Sequence, residues 1–213
     1  MSYQTIFVNS HFIVVDKAPN VLSVPAREGE KDPRVCLGRL LEVDLGLKIF
    51  PVHRLDYEVQ GLIMYALTAE AQRAGNAWFS NKEIHKSYSA LSKSSGNYKI
   101  GESYEWTCCL LRGKKRAYES PHGKESLTKS KLISIDKFGI SHWELEPITG
   151  RSHQLRYELF RHQEVIIGDV LYGSDEIFSG KGIALQAFKI DFSNIKNRQK
   201  FSLPENICLK KIE

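Results

Sequence analysis

Strand-like apolar patterns outnumber helical ones along this chain. IFVNSHFIVV (6–15) is rich in β-branched and aromatic residues and predicts a strand. GLIMYAL (61–67) is a short continuous apolar run and predicts a buried strand. HKSYSAL (85–91), EWTCCLL (105–111), KLISI (131–135), ISHWELE (140–146) and IALQAFKIDF (183–192) predict five more. Helical spacing occurs three times. Residues 34–45 carry Leu37, Leu40 and Leu41 and stop at Gly46. Thr68 is placed to cap a helix running to about Asn81, with Ala71, Ala74 and Trp78 on one face. SHQLRYELFRH (152–162) sets Leu155 and Leu159 on a buried face. APNVLSVPAREGEKDP (18–33) is loop, broken by Pro19, Pro25, Gly29 and Pro33. Strands dominate and do not alternate regularly with helices. The expected fold class is therefore α+β, a mixed, largely antiparallel sheet flanked by helices and loops. No repeat or linker interrupts the pattern, so a single domain over 1–213 is expected.

Composition narrows the class. Of the 213 residues, 42% are hydrophobic and 26% charged, which fits a globular chain with a real core. No apolar run approaches the length of a membrane span, and the N-terminus lacks the layout of a secretory signal. Cys36, Cys108, Cys109 and Cys208 form no zinc-type grouping. Adjacent Cys108 and Cys109 are expected to alternate faces of a strand and to serve packing, which implies a reducing compartment, the cytoplasm. Net charge is +5. Between Leu111 and Lys131, seven basic residues, including Lys114, Lys115 and Arg116, face two acidic ones, so this segment alone carries a net +5. Such a run is either a solvated loop or an arm that contacts phosphates.

The candidate chemistry lies in three stretches. VHRLD (52–56) puts His53, Arg54 and Asp56 at the mouth of the buried strand. An aspartate held ionised beside a guanidinium is a nucleophile or base, and the same pair is also an ordinary structural ion pair. HRLD and DKFG (136–139) imitate kinase motifs. Each has an intruding residue and no glycine-rich loop precedes them, so a kinase is excluded. ITGRSHQLRYELF (148–160) gathers Arg151, His153 and Arg156 at a helix start, with Arg156 at the margin of the core. HKSY (85–88) offers Tyr88 either as core or as a platform for a base.

Taken in order, these pieces resemble the RluA-type pseudouridine synthases over about Ile13 to Phe192. VHRLD with GLIMYALT resembles the H-R-L-D-x-x-x-x-G signature. VVDKAPNVLSVPAR resembles the V-V-x-K-P-x-G-x-x-S-V-P opening, and KSYSAL the K-x-Y-x-A strand. GKESLTKS (123–130), ITGRSHQLR, GDVLYG (168–173) and LQA (185–187) resemble later motifs.

The resemblance implies isomerisation of uridine to pseudouridine in structured RNA, transfer RNA and/or large-subunit ribosomal RNA, around a central RNA-binding cleft. It implies no metal or organic cofactor, RNA as partner and a monomer of the short form, without an S4-type domain. Asp56 matches the catalytic aspartate, Tyr88 the tyrosine that packs on the base, and Arg156 the arginine that pairs with the aspartate. Arg54 matches the arginine that fills the place of the flipped base, and Leu185 lines the pocket. Extrusion of the target nucleotide is what such chemistry requires. His53, Arg151, His153, Lys114, Lys115 and Arg116 are the further RNA-binding candidates. Three positions depart from the pattern: Val59-Gln60 before Gly61, Pro19-Asn20-Val21 at the Pro-x-Gly, and Gln186 at a usual histidine. The rival readings are a catalytically inactive RNA-binding or chaperone protein on the same fold, and a glycosidase-like hydrolase, which would need a second carboxylate.

Overall fold

The computed structural model describes residues 1–26 and 29–212; Arg27 of the SVPAR stretch lies outside the described residues. In chain order the elements are β1 (Tyr3–Val8), β2 (Phe12–Lys17), α1 (Leu37–Leu45), β3 (Phe50–Pro51), β4 (Gln60–Ala66), α2 (Ala69–Ser80), β5 (His85–Lys93), β6 (Ser103–Arg112), β7 (Ala117–Glu119), β8 (Lys124–Ile135), β9 (Ile140–Pro147), α3 (Gln154–Arg161), β10 (Leu185–Asp191) and β11 (Asn206–Cys208). They build two compact units, Met1–His85 with Ala187–Leu209, and Lys86–Gln186 with Lys210–Glu213. The α+β class and the antiparallel character hold, since β1–β2, β2–β4, β5–β9, β8–β9 and β6–β8 all pair antiparallel.

In the first unit the strand order is β1-β2-β4-β10, with β3 on β4 and β11 on β10. The run predicted as one strand over 6–15 is a hairpin. Asn9 breaks it by accepting the Phe12 N–H on its side-chain oxygen, a turn that an apolar pattern alone conceals. β2 and β4 sit inside the sheet with both faces covered, which is why they read as continuous apolar runs. Phe12, Val14, Leu62 and Met64 meet Trp78 of α2 and Phe201 in one core. Thr68 caps α2 as expected, its hydroxyl accepting the Ala71 N–H at 3.1 Å, a bond worth about 1 kcal/mol. Gly46, in the left-handed conformation, ends α1.

In the second unit the order is β5-β9-β8-β6-β7. β6 is wet on one face: Trp106, Cys108 and Leu110 are buried, and their neighbours are largely exposed. Cys108 and Cys109 therefore alternate, and packing accounts for Cys108 alone, because Cys109 is exposed. The basic stretch is not a loop. It runs up β6, turns at 113–116, returns along β7 and enters β8, whose start precedes the predicted KLISI strand. Cross-strand pairing to Ser103–Leu110 carries the polar residues of β8 into the ladder despite their weak apolar signal.

Among the described residues, no helix is long and apolar enough to cross a membrane.

Candidate active site

Asp56 stands in irregular backbone just before β4, half-buried, while Arg54 is exposed. The loop is held on both sides of the aspartate. Before it, the Leu55 N–H donates to Ser23 Oγ at 3.0 Å, and Ser23 Oγ donates back to the Leu55 carbonyl at 2.9 Å. Ser23 is itself fixed, because the Tyr65 hydroxyl donates to its carbonyl at 2.7 Å. After it, the Tyr57 carbonyl accepts the Asn20 N–H at 2.8 Å and the Lys17 ammonium at 3.3 Å. The Asp56 carbonyl takes the Val59 N–H and closes a turn. His53 is anchored from within: its Nε2 accepts the Met64 N–H at 2.9 Å, and its ring packs on Phe79 at 4.7 Å. A loop tied at 53, 55, 57 and 59 presents its carboxylate in one place, which reactive geometry requires.

Lys17 is the floor of this arrangement. It has no exposure, and its ammonium also donates to the Ala18 and Val21 carbonyls, each at 2.9 Å. Burial pushes it down from 10.5 to about 8, against the pull of Asp56, Glu58 and Asp16.

Two backbone features explain the motif around Asp56. Gly61 has φ +111°, and a Cβ there would lie 2.3 Å from the Ala187 carbonyl oxygen, so only glycine lets β4 approach this close to β10. In the opening motif the left-handed residue is Asn20, with φ +60°. Asparagine tolerates that conformation, so Asn20 stands in for the motif's glycine and Val21 does not. Counted from Lys17 and Ser23, the motif's glycine position falls on Asn20 itself, so the departure there is conformationally conservative.

In the second unit Tyr88 is buried on β5, opposite Leu145 of β9. Arg156 lies on the first turns of α3 and is 2% exposed, deeper than the core margin its helical spacing suggested. Its Nε and Nη2 each donate at 2.7 Å to the two oxygens of Asp169, a bidentate pair 1% exposed on each side. Such a fork is how a guanidinium is accommodated in a dry interior. Its plane also lies over the Tyr172 ring, 5.4 Å from the centroid. Leu185 is buried.

The start of α3 is organised by Gln154, which the sequence shows only as a member of ITGRSHQLR, without a role. Its Oε1 accepts from Thr149 Oγ1 and the Arg151 N–H, and its Nε2 donates to the Leu127 carbonyl and Thr128 Oγ1. Arg151 in turn donates to the Glu125 carbonyl at 2.8 Å. His153 has φ +54° and is buried, its Nδ1 lying 3.2 Å from the Tyr172 hydroxyl. Gln186 is largely buried and accepts the Ile212 N–H at 3.1 Å. Lys114, Lys115 and Arg116 are all exposed on the turn between β6 and β7. Asp169, Tyr172, Ser23 and Gln154 are the residues that sequence reasoning missed. All four lie in stretches that resemble motifs, Ser23 in VVDKAPNVLSVPAR, Gln154 in ITGRSHQLR and the other two in GDVLYG, so the motifs were visible and these roles were not.

The signature of the family described as RNA pseudouridylate synthase matches residues 11–161. A dual-specificity RNA pseudouridine synthase RluA of Yersinia pestis is 34% identical over 181 residues, covering 80% of this chain and 82% of the relative. The protein of that description from Escherichia coli K12 is 32% identical, covering 80% and 77%. Among solved structures, human RNA pseudouridylate synthase domain containing 1 superposes with a TM-score of 0.77 at 19% identity, over 98% of this chain and 83% of that one, and speaks to the fold. The chain belongs to the RNA pseudouridylate synthase family, and within it to the RluA type. It is an isomerase that acts on RNA.

Proposed function

We propose that this protein converts uridine to pseudouridine in structured RNA, transfer RNA and/or large-subunit ribosomal RNA, with Asp56 as the essential carboxylate. The base leaves C1′ of its ribose through N1, turns and is rejoined through C5. The C5 proton is lost and N1 gains one, so no atoms are gained or lost. The observation that carries this reading is the double tether of the Asp56 loop, at Leu55 through Ser23 and at Tyr57 through Lys17. A surface loop with no task to perform has no reason to be held at such expense in buried polar groups. From their match to the motifs, Tyr88 takes the part of the residue that lies against the base, Arg156 that of a buried cation and Leu185 that of an apolar lining residue. Arg54, being exposed beside Asp56, takes the place vacated by the extruded nucleotide. Arg151 and the tip residues Lys114, Lys115 and Arg116 meet phosphates. His53 and His153 belong to the binding surface through the residues they position. The whole of 1–213 serves as one catalytic domain, a monomer in the cytoplasm. Relatives named as dual-specificity RNA pseudouridine synthases are in keeping with more than one RNA target.

The test is to map pseudouridine at nucleotide resolution after incubating unmodified total RNA with the parent protein and with Asp56→Asn. New sites with the parent alone support the reading. Binding without new sites in either case would transfer the protein to the inactive RNA-binding reading, and release of free uracil to a hydrolase.

A further inference from the structure

The hairpin that carries Lys114, Lys115 and Arg116 is the outer margin of the second unit's sheet. It has a tight four-residue turn, with the Gly113 N–H donating to the Arg116 carbonyl at 3.0 Å and Arg112 opposite Ala117. Ala117 is the first residue after the tip and is 1% exposed. Its N–H donates to the Tyr172 hydroxyl at 2.9 Å, and its carbonyl accepts from that hydroxyl at 3.3 Å. One side chain from a distant segment thus satisfies both groups of a single edge residue, a job normally done by a neighbouring strand. The same hydroxyl lies 3.2 Å from His153 Nδ1.

Tyr172 is tied at its other end to the buried ion pair. Its N–H donates to the Asp169 carbonyl at 3.0 Å, and Asp169 grips Arg156. The Tyr172 ring packs on Phe160, 5.7 Å between centroids, and the Arg116 guanidinium lies 6.0 Å over that same Phe160 ring. A continuous chain of contacts therefore runs from Arg156 through Asp169 and Tyr172 to the root of the basic tip.

We propose that Tyr172 is a positioning residue for RNA: its hydroxyl latches Ala117, so that the cationic tip meets the RNA backbone at a fixed place relative to Arg156. This rests on the reading of Lys114, Lys115 and Arg116 as phosphate contacts. Fixing the tip beforehand spares the ordering that binding would otherwise have to supply.

Tyr172→Phe keeps the ring on Phe160 and Arg156 and removes the hydroxyl's bonds to Ala117 and to His153, whereas the insertion variant below loosens the tip with the His153 contact kept. With a fluorescein-labelled, uridine-containing stem-loop RNA as probe, Kd should rise about five- to tenfold, as expected for loss of a buried hydrogen-bonded anchor. Turnover at saturating RNA should stay within about twofold, and the slope of log affinity against log salt should flatten. A merely structural loss would lower the melting temperature without altering that slope. In the Tyr172→Phe background, neutralising all three tip residues should cost less affinity than it does in the parent. A two-glycine insertion between Arg116 and Ala117 leaves Tyr172 bonded and frees the tip. It should reproduce the affinity loss in a protein that melts like the parent. Parent-like affinity in either variant, or fully additive losses, would overturn the latch. So would a fall in turnover with affinity unchanged, which would put the action of Tyr172 on Arg156. If tip neutralisation leaves parent affinity untouched, the phosphate-contact reading itself fails, a result separate from an additive cycle.

Discussion

Each unit buries a cation completely, and the two are held by different means. Lys17 is met by main-chain oxygens, those of Ala18, Val21 and Tyr57. Arg156 is met by a carboxylate, both oxygens of Asp169. The difference follows from the side chains. An ammonium is a compact charge with three donors that suit three converging carbonyls, whereas a guanidinium is a planar fork that matches a carboxylate edge to edge. The choice has consequences. Carbonyls bring dipoles but no charge, so Lys17 keeps a net charge in the interior and its proton is loosened to about pH 8. The Arg156 pair is neutral overall, and an arginine keeps its proton wherever proteins fold. Lys17 ties a loop of the candidate site by holding the Tyr57 carbonyl, while Arg156 and Asp169 make a rigid post inside α3 and the turn that follows it.

The sharpest way to break this comparison is to remove the negative half of the pair. Asp169→Ala leaves a buried guanidinium short of the two oxygens it bonds, and unfolding in urea should show a loss of about 3–5 kcal/mol. The joint replacement Arg156→Met with Asp169→Leu should cost less stability than Asp169→Ala alone while abolishing pseudouridine formation. The next effect is one of pH. The unfolded chain holds the Lys17 proton up to about pH 10.5, but the folded protein releases it near 8. Between these values unfolding takes up a proton, so stability from this group rises with pH. Below about pH 8 both states are charged and the full penalty of the buried ammonium applies. The rise between pH 8 and 10.5 should reach at most about 3 kcal/mol, seen as the difference between parent and Lys17→Met denaturation curves. At pH 7, Lys17→Met itself should be milder than Asp169→Ala, a loss of about 1–2 kcal/mol, because the buried charge leaves with its desolvation penalty, which offsets much of the cost of the stranded carbonyls and of the lost attraction to Asp56, Glu58 and Asp16. Its larger effect should be on turnover, through the slackened Asp56 loop. The smallest effect on folding belongs to the surface. Replacing Lys114, Lys115 and Arg116 together by Gln should change stability by no more than about 0.5 kcal/mol. It should lower the salt slope of RNA binding by about 0.7–0.9 for each phosphate that is no longer neutralised.

The legibility of the two units differed for a related reason. In the first, β2 and β4 are covered on both faces, and hydrophobic burial writes itself into sequence as uninterrupted apolar runs. The loop at Asn9 is hidden because its turn depends on one side-chain oxygen rather than on a change in apolar pattern. In the second, β8 carries lysines and serines through most of its length, so polarity places only its last residues in a strand. The ladder to β6 holds the rest. The depth of Arg156 is concealed similarly. Helical spacing places it beside Leu155 and Leu159, but only the partner carboxylate on another segment explains why a charged residue sits at 2% exposure.

By itself the sequence determined the α+β class, the three helices with Thr68 and Gly46 as boundaries, and the ordered motifs that place Asp56, Tyr88 and Arg156 in an RluA-type framework. Those properties are local or periodic: a cap acts within one turn, apolar spacing reflects the face that is buried, and a motif is contiguous. Only the tertiary structure decided that Ser23 and Lys17 tether the Asp56 loop, that Asp169 neutralises Arg156, that Gln154 gathers the start of α3, and that Tyr172 reaches Ala117. These are pairings between polar groups far apart in the chain, up to 55 residues for Tyr172 and Ala117. A hydrogen bond between distant residues leaves no period in either segment. Its partner is chosen by the path of the backbone, which brings one donor and one acceptor together where water is excluded.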